Sequence, residues 1–171
     1  MPSGRTLGKK MADVVDWEQT RTVLEIGPGS GALTEVFLPR VKENCSFLAI
    51  EINPHFAAFM ESRFPGLEVV HDSVENLSSI LHQRGFEKAD AIISGLPWTI
   101  FTRTQQENYM KAIRESLGPA GVFVTYTYLH AFSLPGGRRF LRRLSDNFTQ
   151  VVRSKPVWMN VPPALYFTCR V

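Results

Sequence analysis

Three groups of residues combine types and spacing suited to chemistry. The first is Glu25-Ile26-Gly27-Pro28-Gly29-Ser30-Gly31. Glycines let a chain turn tightly and bring its backbone against a ligand with no Cβ in the way. A helix start after such a turn offers unpaired N–H groups, which suit a carboxylate or a phosphate. Glu25, two residues ahead of the first glycine, would repel a pyrophosphate and accept hydrogen bonds from an α-ammonium group. The second group is two further acids at strand ends, Glu51 after Phe47-Leu48-Ala49-Ile50 and Asp72 after Val69-Val70-His71. Glu51 follows Gly31 by 20 residues, a place from which a carboxylate can hold both hydroxyls of a ribose. Ile52 beside it would pack on a flat ring. Asp72 and Ser73 also suit the N-cap of a helix at Val74, so cap and ligand roles compete there and the two residues can divide them. The third group is Ser94-Gly95-Leu96-Pro97-Trp98. Gly95 permits close approach, Pro97 stiffens the loop, Ser94 can accept a hydrogen bond, and the Trp98 face can stabilise a cation by ~1–2 kcal/mol.

These residues need strands and turns to hold them. Thr22–Ile26, Ser46–Ile50, Leu67–Val70, Ala89–Ile93 and Val122–Tyr126 read as strands, near-continuously apolar as in a parallel sheet covered on both faces. Helices are predicted near Ala32–Leu38, His55–Phe64, Val74–Gln83 and Thr104–Leu117. Phe148–Pro156 and Ala164–Val171 break this rhythm and predict a hairpin around Asn160-Val161-Pro162-Pro163. The fold class expected is α/β: a Rossmann-like doubly wound seven-stranded sheet, mostly parallel, with an antiparallel C-terminal hairpin strand and helices on both faces. Residues 1–171 read as a single domain, with residues 1–17 an amphipathic helix packing on the domain or on a membrane.

Composition narrows the classes. The 171 residues are 44% hydrophobic, enough for a core, so wholesale disorder is excluded. A net charge of +3 permits an anionic partner without demanding one. Cys45 and Cys169 are too few for a disulfide scaffold and read as free thiols in a reducing cytoplasm. No apolar run approaches the ~18 residues of a membrane span. None of His55, His71, His82 and His130 has metal-ligand spacing, so no metal is expected.

Gly27, Gly29 and Ala32 also satisfy the relaxed dinucleotide fingerprint, so a nicotinamide dinucleotide competes for the turn. Glu25 favours the other reading: E-x-G-x-G-x-G resembles the first motif of S-adenosylmethionine enzymes. With the strand ending in Glu51, Phe64-Pro65-Gly66, Ser94-Gly95-Leu96-Pro97-Trp98, Thr125-Tyr126-Thr127-Tyr128 and Trp158-Met159-Asn160-Val161-Pro162-Pro163-Ala164, the chain resembles the bacterial phospholipid N-methyltransferases along nearly its whole length. These are class I S-adenosylmethionine-dependent enzymes, related in sequence to ribosomal RNA adenine dimethyltransferases. The resemblance implies methylation of the amine of an aminophospholipid such as phosphatidylethanolamine, or of a related aminolipid, by direct in-line transfer. Glu25, Gly27, Gly29, Gly31, Glu51, Ile52, Asp72, Ser73 and Ser94 would hold the cofactor, with Asp72 taking the adenine amino group. Ser94, Pro97, Trp98 and Tyr128 would form the catalytic acceptor site.

The family's N-terminal amphipathic segment would here be missing, shortened or reduced to the first helix, where Leu7, Met11, Val14 and Val15 stand at helical spacing. That helix, with Arg138, Arg139, Arg142 and Arg143, is expected to meet an anionic membrane surface, after a mobile loop around Pro135-Gly136-Gly137 that overlies the site. The expected location is the cytoplasm, with peripheral attachment at the inner membrane face. Rival readings are an RNA adenine methyltransferase, for which the third group would carry Asn where Ser94 stands, a small-molecule methyltransferase, and a nicotinamide-binding module, against which Glu25 counts.

Overall fold

The computed structural model describes residues 2–171. Its elements in chain order are α1 (Pro2–Ala12), β1 (Thr22–Ile26), α2 (Thr34–Phe37), β2 (Ser46–Glu51), α3 (Pro54–Arg63), β3 (Glu68–His71), α4 (Leu77–His82), β4 (Ala89–Ser94), α5 (Arg103–Ser116), β5 (Leu117–Tyr128), α6 (Pro135–Asn147), β6 (Gln150–Arg153) and β7 (Ala164–Arg170). One seven-stranded sheet carries the order β3-β2-β1-β4-β5-β7-β6. The first five strands pair in parallel, and β7 runs antiparallel to both β5 and β6. All of β1 is buried, because helices cover both faces of the sheet there. The carboxyl ends of β1, β2, β3, β4 and β5 therefore line up along one edge, and the order reverses direction between β1 and β4. Ligands of open α/β sheets bind at such a switch point.

Local chemistry sets the helix starts. Asn53 caps α3, accepting from His55 N at 2.9 Å, and Pro54 follows at the first helical position. A reciprocal capping box of Thr102 and Gln105 starts α5. Two apolar layers flank the sheet. Leu77, Ile80, Met110, Ile113, Phe140 and Leu144 fill one side under α4, α5 and α6. Leu7, Met11, Trp17, Val23 and Phe37 fill the other under α1 and α2.

The expected strands and helices are present with shifted ends. The stretch predicted as one helix over 74–83 begins with a 3₁₀ turn, Val74–Asn76, before α4. β5 is longer than predicted, since its first residues pair with β4 across an irregularity between Ala89 and Ala91. The C-terminal hairpin forms as expected. One expectation is corrected. Pro135-Gly136-Gly137 is the first turn of α6 rather than a mobile loop, and both glycines are buried. The absent side chains permit close approach: a Cβ on Gly136 would lie 2.0 Å from the Thr99 carbonyl oxygen, and one on Gly137 2.0 Å from that of Ala131. Of the two surfaces expected to cover the N-terminal helix, the domain takes most of its apolar stripe. Leu7, Met11 and Val15 are buried in the domain, and Trp17 Nε1 closes the turn after α1 by donating to Ala12 O at 2.8 Å.

Gly136→Ala is therefore expected to lose about 3 kcal/mol of stability by forcing α6 off the 3₁₀ turn Trp98–Ile100. Gly4→Ala in α1, where a Cβ meets nothing within 4 Å, should be neutral or stabilising by up to ~1 kcal/mol. Urea unfolding of the two variants measures the contrast.

Candidate active site

The glycine turn leaves β1 with Gly27, Gly29 and Gly31 all at positive φ, between 54° and 79°. Gly27 has a packing reason too, since a Cβ there would lie 2.5 Å from Leu96 Cδ2. The bare side of Gly31 is filled by Met60 of α3 and Phe64 just after it, so its glycine serves the seat of α3. A Cβ on Gly29 would meet nothing within 4 Å, which leaves open space over the turn.

Glu25 sits beneath this turn with no solvent exposure. Thr34 Oγ1, at the start of α2, donates to its Oε2 at 2.7 Å, while Oε1 is buried without a partner. Desolvation pushes its pKa from the ordinary 4.5 to about 7, with the Thr34 bond pulling weakly the other way. At neutral pH the carboxyl is therefore partly protonated. Glu51 ends β2 almost fully buried, accepting from Gly29 N at 3.1 Å and from Asn53 N at 2.9 Å. It ties the glycine turn to the start of α3. Asp72 and Ser73 divide their tasks: Ser73 Oγ accepts from Glu75 N at 3.2 Å as a cap, while Asp72 borders the cleft. The Asp72 Oδ1 atom accepts from Ser73 N at 2.6 Å and Asn76 Nδ2 at 2.7 Å.

The structure brings Gly27, Glu51, Ile52 and Asp72 to one narrow cleft. Leu96, Phe101 and Tyr109 add to its wall; sequence reading gave none of the three a role, and the last two stand outside every motif. They come from a loop and from α5, and become neighbours only because Phe101 stacks edge-on against Tyr109 at 5.2 Å. Arg63 was missed as well. It reaches from α3 to donate to the Ser30 carbonyl of the turn, and pairs with Glu35 at 2.9 Å. An acid for ribose, an acid at the far end, an apolar slot and an orphaned carboxyl oxygen under a bare glycine turn together fit a nucleoside carrying an amino-acid ammonium.

A second cavity, of about 150 Å3, lies on the other side of Leu96 and is bordered by Gly95, Pro97, Trp98, Thr99, Tyr126, Thr127 and Tyr128. Here two expectations are corrected. Trp98 does not offer its face to a ligand: the indole is 2% exposed and stacks on Phe140 at 4.9 Å. Its Nε1 donates to Ser94 Oγ and Thr125 Oγ1, both at 3.1 Å. Ser94 is likewise fully buried, and its Oγ also accepts from Leu96 N at 3.3 Å. Both side chains turn inward and hold the loop, because a Trp ring with its N–H satisfied is more stable in the core than over an open cavity. Pro97 is exposed at the rim. Tyr126 and Tyr128 share the cavity, ring centroids 5.8 Å apart and edge to face, as strand alternation predicts. Burial first, then the adjacent Tyr128 phenol, pushes the Tyr126 hydroxyl far above its usual range, so it stays protonated. The arginines Arg138, Arg139, Arg142 and Arg143 line a separate cleft with Arg103 and Asp146. Among the described residues no group of three metal-ligating side chains converges.

A doubly wound sheet with this cleft at its switch point defines a Rossmann-like nucleoside-binding enzyme. A family profile described as "Methyltransferase domain" matches residues 23–121, and the chain belongs to that family: it is an S-adenosylmethionine-dependent methyltransferase. It is 34% identical to the ornithine lipid N-methyltransferase of Singulisphaera acidiphila, over 99% of this chain and 85% of that one. It is 28% identical to a probable ribosomal RNA small subunit methyltransferase A of Methanosarcina acetivorans, over 85% of this chain but only 49% of that one. The chain thus spans about half the length of that ribosomal RNA relative. Among solved structures it resembles an O-methyltransferase from Bacillus cereus in complex with S-adenosylhomocysteine, with a TM-score of 0.77 at 16% identity, over 97% of this chain and 81% of that one. It also resembles the N-methyltransferase NodS of Bradyrhizobium japonicum, with a TM-score of 0.72 at 17% identity, over 99% of this chain and 96% of that one. At those identities the likeness is one of fold.

Glu25 makes stability depend on pH. Below about pH 4.5 the carboxyl is protonated folded and unfolded, and its contribution is greatest there. Between that value and about 7 only the unfolded form ionises, so stability falls with rising pH, by about 3 kcal/mol in all. Glu25→Gln should lack this slope and gain on wild type between pH 5 and pH 8. Urea titrations at both pH values test this, and parallel curves for the two proteins would refute it.

Proposed function

We propose that the enzyme methylates the amine of an aminolipid, of the ornithine lipid or phosphatidylethanolamine kind. The observation that carries this reading is the 34% identity to the ornithine lipid enzyme across 99% of the chain. The second cavity adds support, since it presents tyrosine hydroxyls and backbone rather than a side-chain amide that would select a nucleobase. Bound S-adenosylmethionine supplies an electrophilic methyl group on a sulfonium. The neutral amine nitrogen takes the methyl as the carbon–sulfur bond breaks, and the resulting ammonium loses its proton to water.

The chain's own residues bind and orient. In this reading Glu51 holds the ribose hydroxyls, Asp72 the adenine amino group, and Ile52, Leu96 and Phe101 the ring. Glu25 Oε1, buried without a partner, would hold the ammonium. Leu96 separates donor from acceptor, so the amine reaches the methyl past its edge. Tyr128, half-buried and stacked on His130 at 5.6 Å, accepts a hydrogen bond from the substrate amine and aims its lone pair. Pro97 shapes the rim, while Ser94 and Trp98 act indirectly by fixing the loop. The arginine cleft on α6 takes the anionic part of the lipid or its neighbours in the membrane. The enzyme's contribution is therefore positioning and exclusion of water rather than covalent catalysis.

Methyl-labelled S-adenosylmethionine, incubated with the protein and mixed-lipid vesicles, should deliver label into extracted aminolipid. Glu51→Ala should weaken S-adenosylhomocysteine binding by about tenfold or more, the value of one lost pair of charge-assisted hydrogen bonds. Tyr128→Phe should lower the transfer rate by about tenfold while leaving that affinity nearly unchanged. Label in RNA and none in any aminolipid would reject the lipid assignment.

A further inference from the structure

We propose that the loop Val157–Pro163 is a membrane-docking element, which seats Trp158, Met159 and Val161 in the interfacial layer of an anionic phospholipid bilayer. Scattered exposed apolar side chains are ordinary, but these three fall within four residues and are 68%, 74% and 75% exposed. The other two tryptophans, Trp17 and Trp98, are buried. A side chain that costs this much to leave in water, carried on a turn, suits the water–hydrocarbon boundary, where tryptophan is enriched.

The loop is built to hold these side chains out. Val157 is buried and its N–H donates to Ala164 O at 2.7 Å. Asn160, 5% exposed at the centre, donates through its backbone N–H to Val157 O at 3.1 Å and through Nδ2 to Pro162 O at 2.7 Å. Pro163 O accepts from Leu129 N at 3.0 Å. The buried polar residue thus fixes the turn, and the apolar residues on either side of it point away from the protein.

Charge selects the partner. Residues 117–171 contain seven arginines and lysines against a single acid, Asp146, although the whole chain is only +3. Arg153 and Lys155 lead directly into the loop and border a groove with Leu129, Phe132 and Leu165. Arg138 of α6 adjoins the same groove by donating through Nε to Phe132 O at 3.1 Å. Arg143 is ion-paired with Glu107, but exposed apolar tips that follow Arg153 and Lys155 in the chain match an anionic bilayer surface rather than a protein of unspecified charge. α1, the expected docking helix, has its apolar stripe packed inside the domain.

Position adds a functional reason, and here the inference rests on the aminolipid reading. Ala164, the first residue after the loop, pairs with Tyr128 on β5, so the loop stands beside the wall of the acceptor cavity. Docking there would turn the cavity mouth toward the lipid headgroups.

Trp158 is its own reporter. With vesicles of phosphatidylglycerol and phosphatidylcholine, wild-type emission should shift to the blue, and lipids brominated near the headgroup should quench it. Replacing Trp158, Met159 and Val161 together by serine should lower vesicle co-sedimentation at least tenfold, with S-adenosylhomocysteine affinity unchanged as the check on folding. Lys155→Glu should weaken binding further at low salt than at high salt. Co-sedimentation with no change in Trp158 emission would overturn the proposal, since docking would then use another face. So would the absence of vesicle binding, whether or not the chain dimerises with protection of Trp158 from iodide. Docking as described with no methyl label in any aminolipid would sustain this inference and sink the substrate assignment instead.

Discussion

A carboxyl group sealed under the glycine turn is the constraint around which the site is arranged. Glu25 cannot be solvated where β1 places it, and only one of its oxygens has a partner. Burial of a charge without full compensation is costly, so the group stays largely neutral up to about pH 7. The Thr34 bond that partly compensates it also fixes where α2 begins. The turn between them then passes through three positive-φ glycines, whose N–H groups donate to Ile50 O, Glu51 Oε2 and Pro28 O. Glu51 ties the far side of the same turn to α3.

The second organising feature is the division of the sheet edge at Leu96. Gly95 packs so closely on the glycine turn that a Cβ would lie 2.5 Å from Gly27 O. This brings the loop after β4 down between the nucleoside cleft and the tyrosine-lined cavity. Trp98 and Ser94 anchor that loop from below, and Gln106 of α5 holds it from the side, donating to Trp98 O at 2.7 Å. Gln106 also donates to Gly136 O at 3.0 Å, which couples the loop to the first turn of α6. The buried indole makes this partition rigid.

Much of this was legible in the sequence. Buried parallel strands are almost wholly apolar, so β1, β2 and β4 announce themselves, and the acids Glu25, Glu51 and Asp72 stand out where those runs stop. The C-terminal hairpin was legible because two strand-like runs lacked a helix between them. Side-chain direction was not. Whether Trp98 faces a cavity or the core depends on Phe140, which lies 42 residues away and meets it only through α6. The start of α6 was obscured because Pro-Gly-Gly is turn chemistry by local rules, and only the close carbonyls of Thr99 and Ala131 explain the glycines. Phe101 and Tyr109 were invisible for the same reason, since they enter the cleft by tertiary packing and follow no spacing rule. The buried side of α1 was readable as apolar, yet periodicity alone does not say whether a domain or a bilayer covers it.

The most direct measurement of the central claim is calorimetry of S-adenosylhomocysteine binding at pH 6, repeated in buffers of different ionisation enthalpy. If the ligand's ammonium comes to rest against the buried Glu25 carboxyl, that group must give up its proton, so close to one proton should be released per ligand bound. The release should vanish in Glu25→Gln. Binding with no proton release by the wild-type protein, or no binding to folded material, would contradict the account.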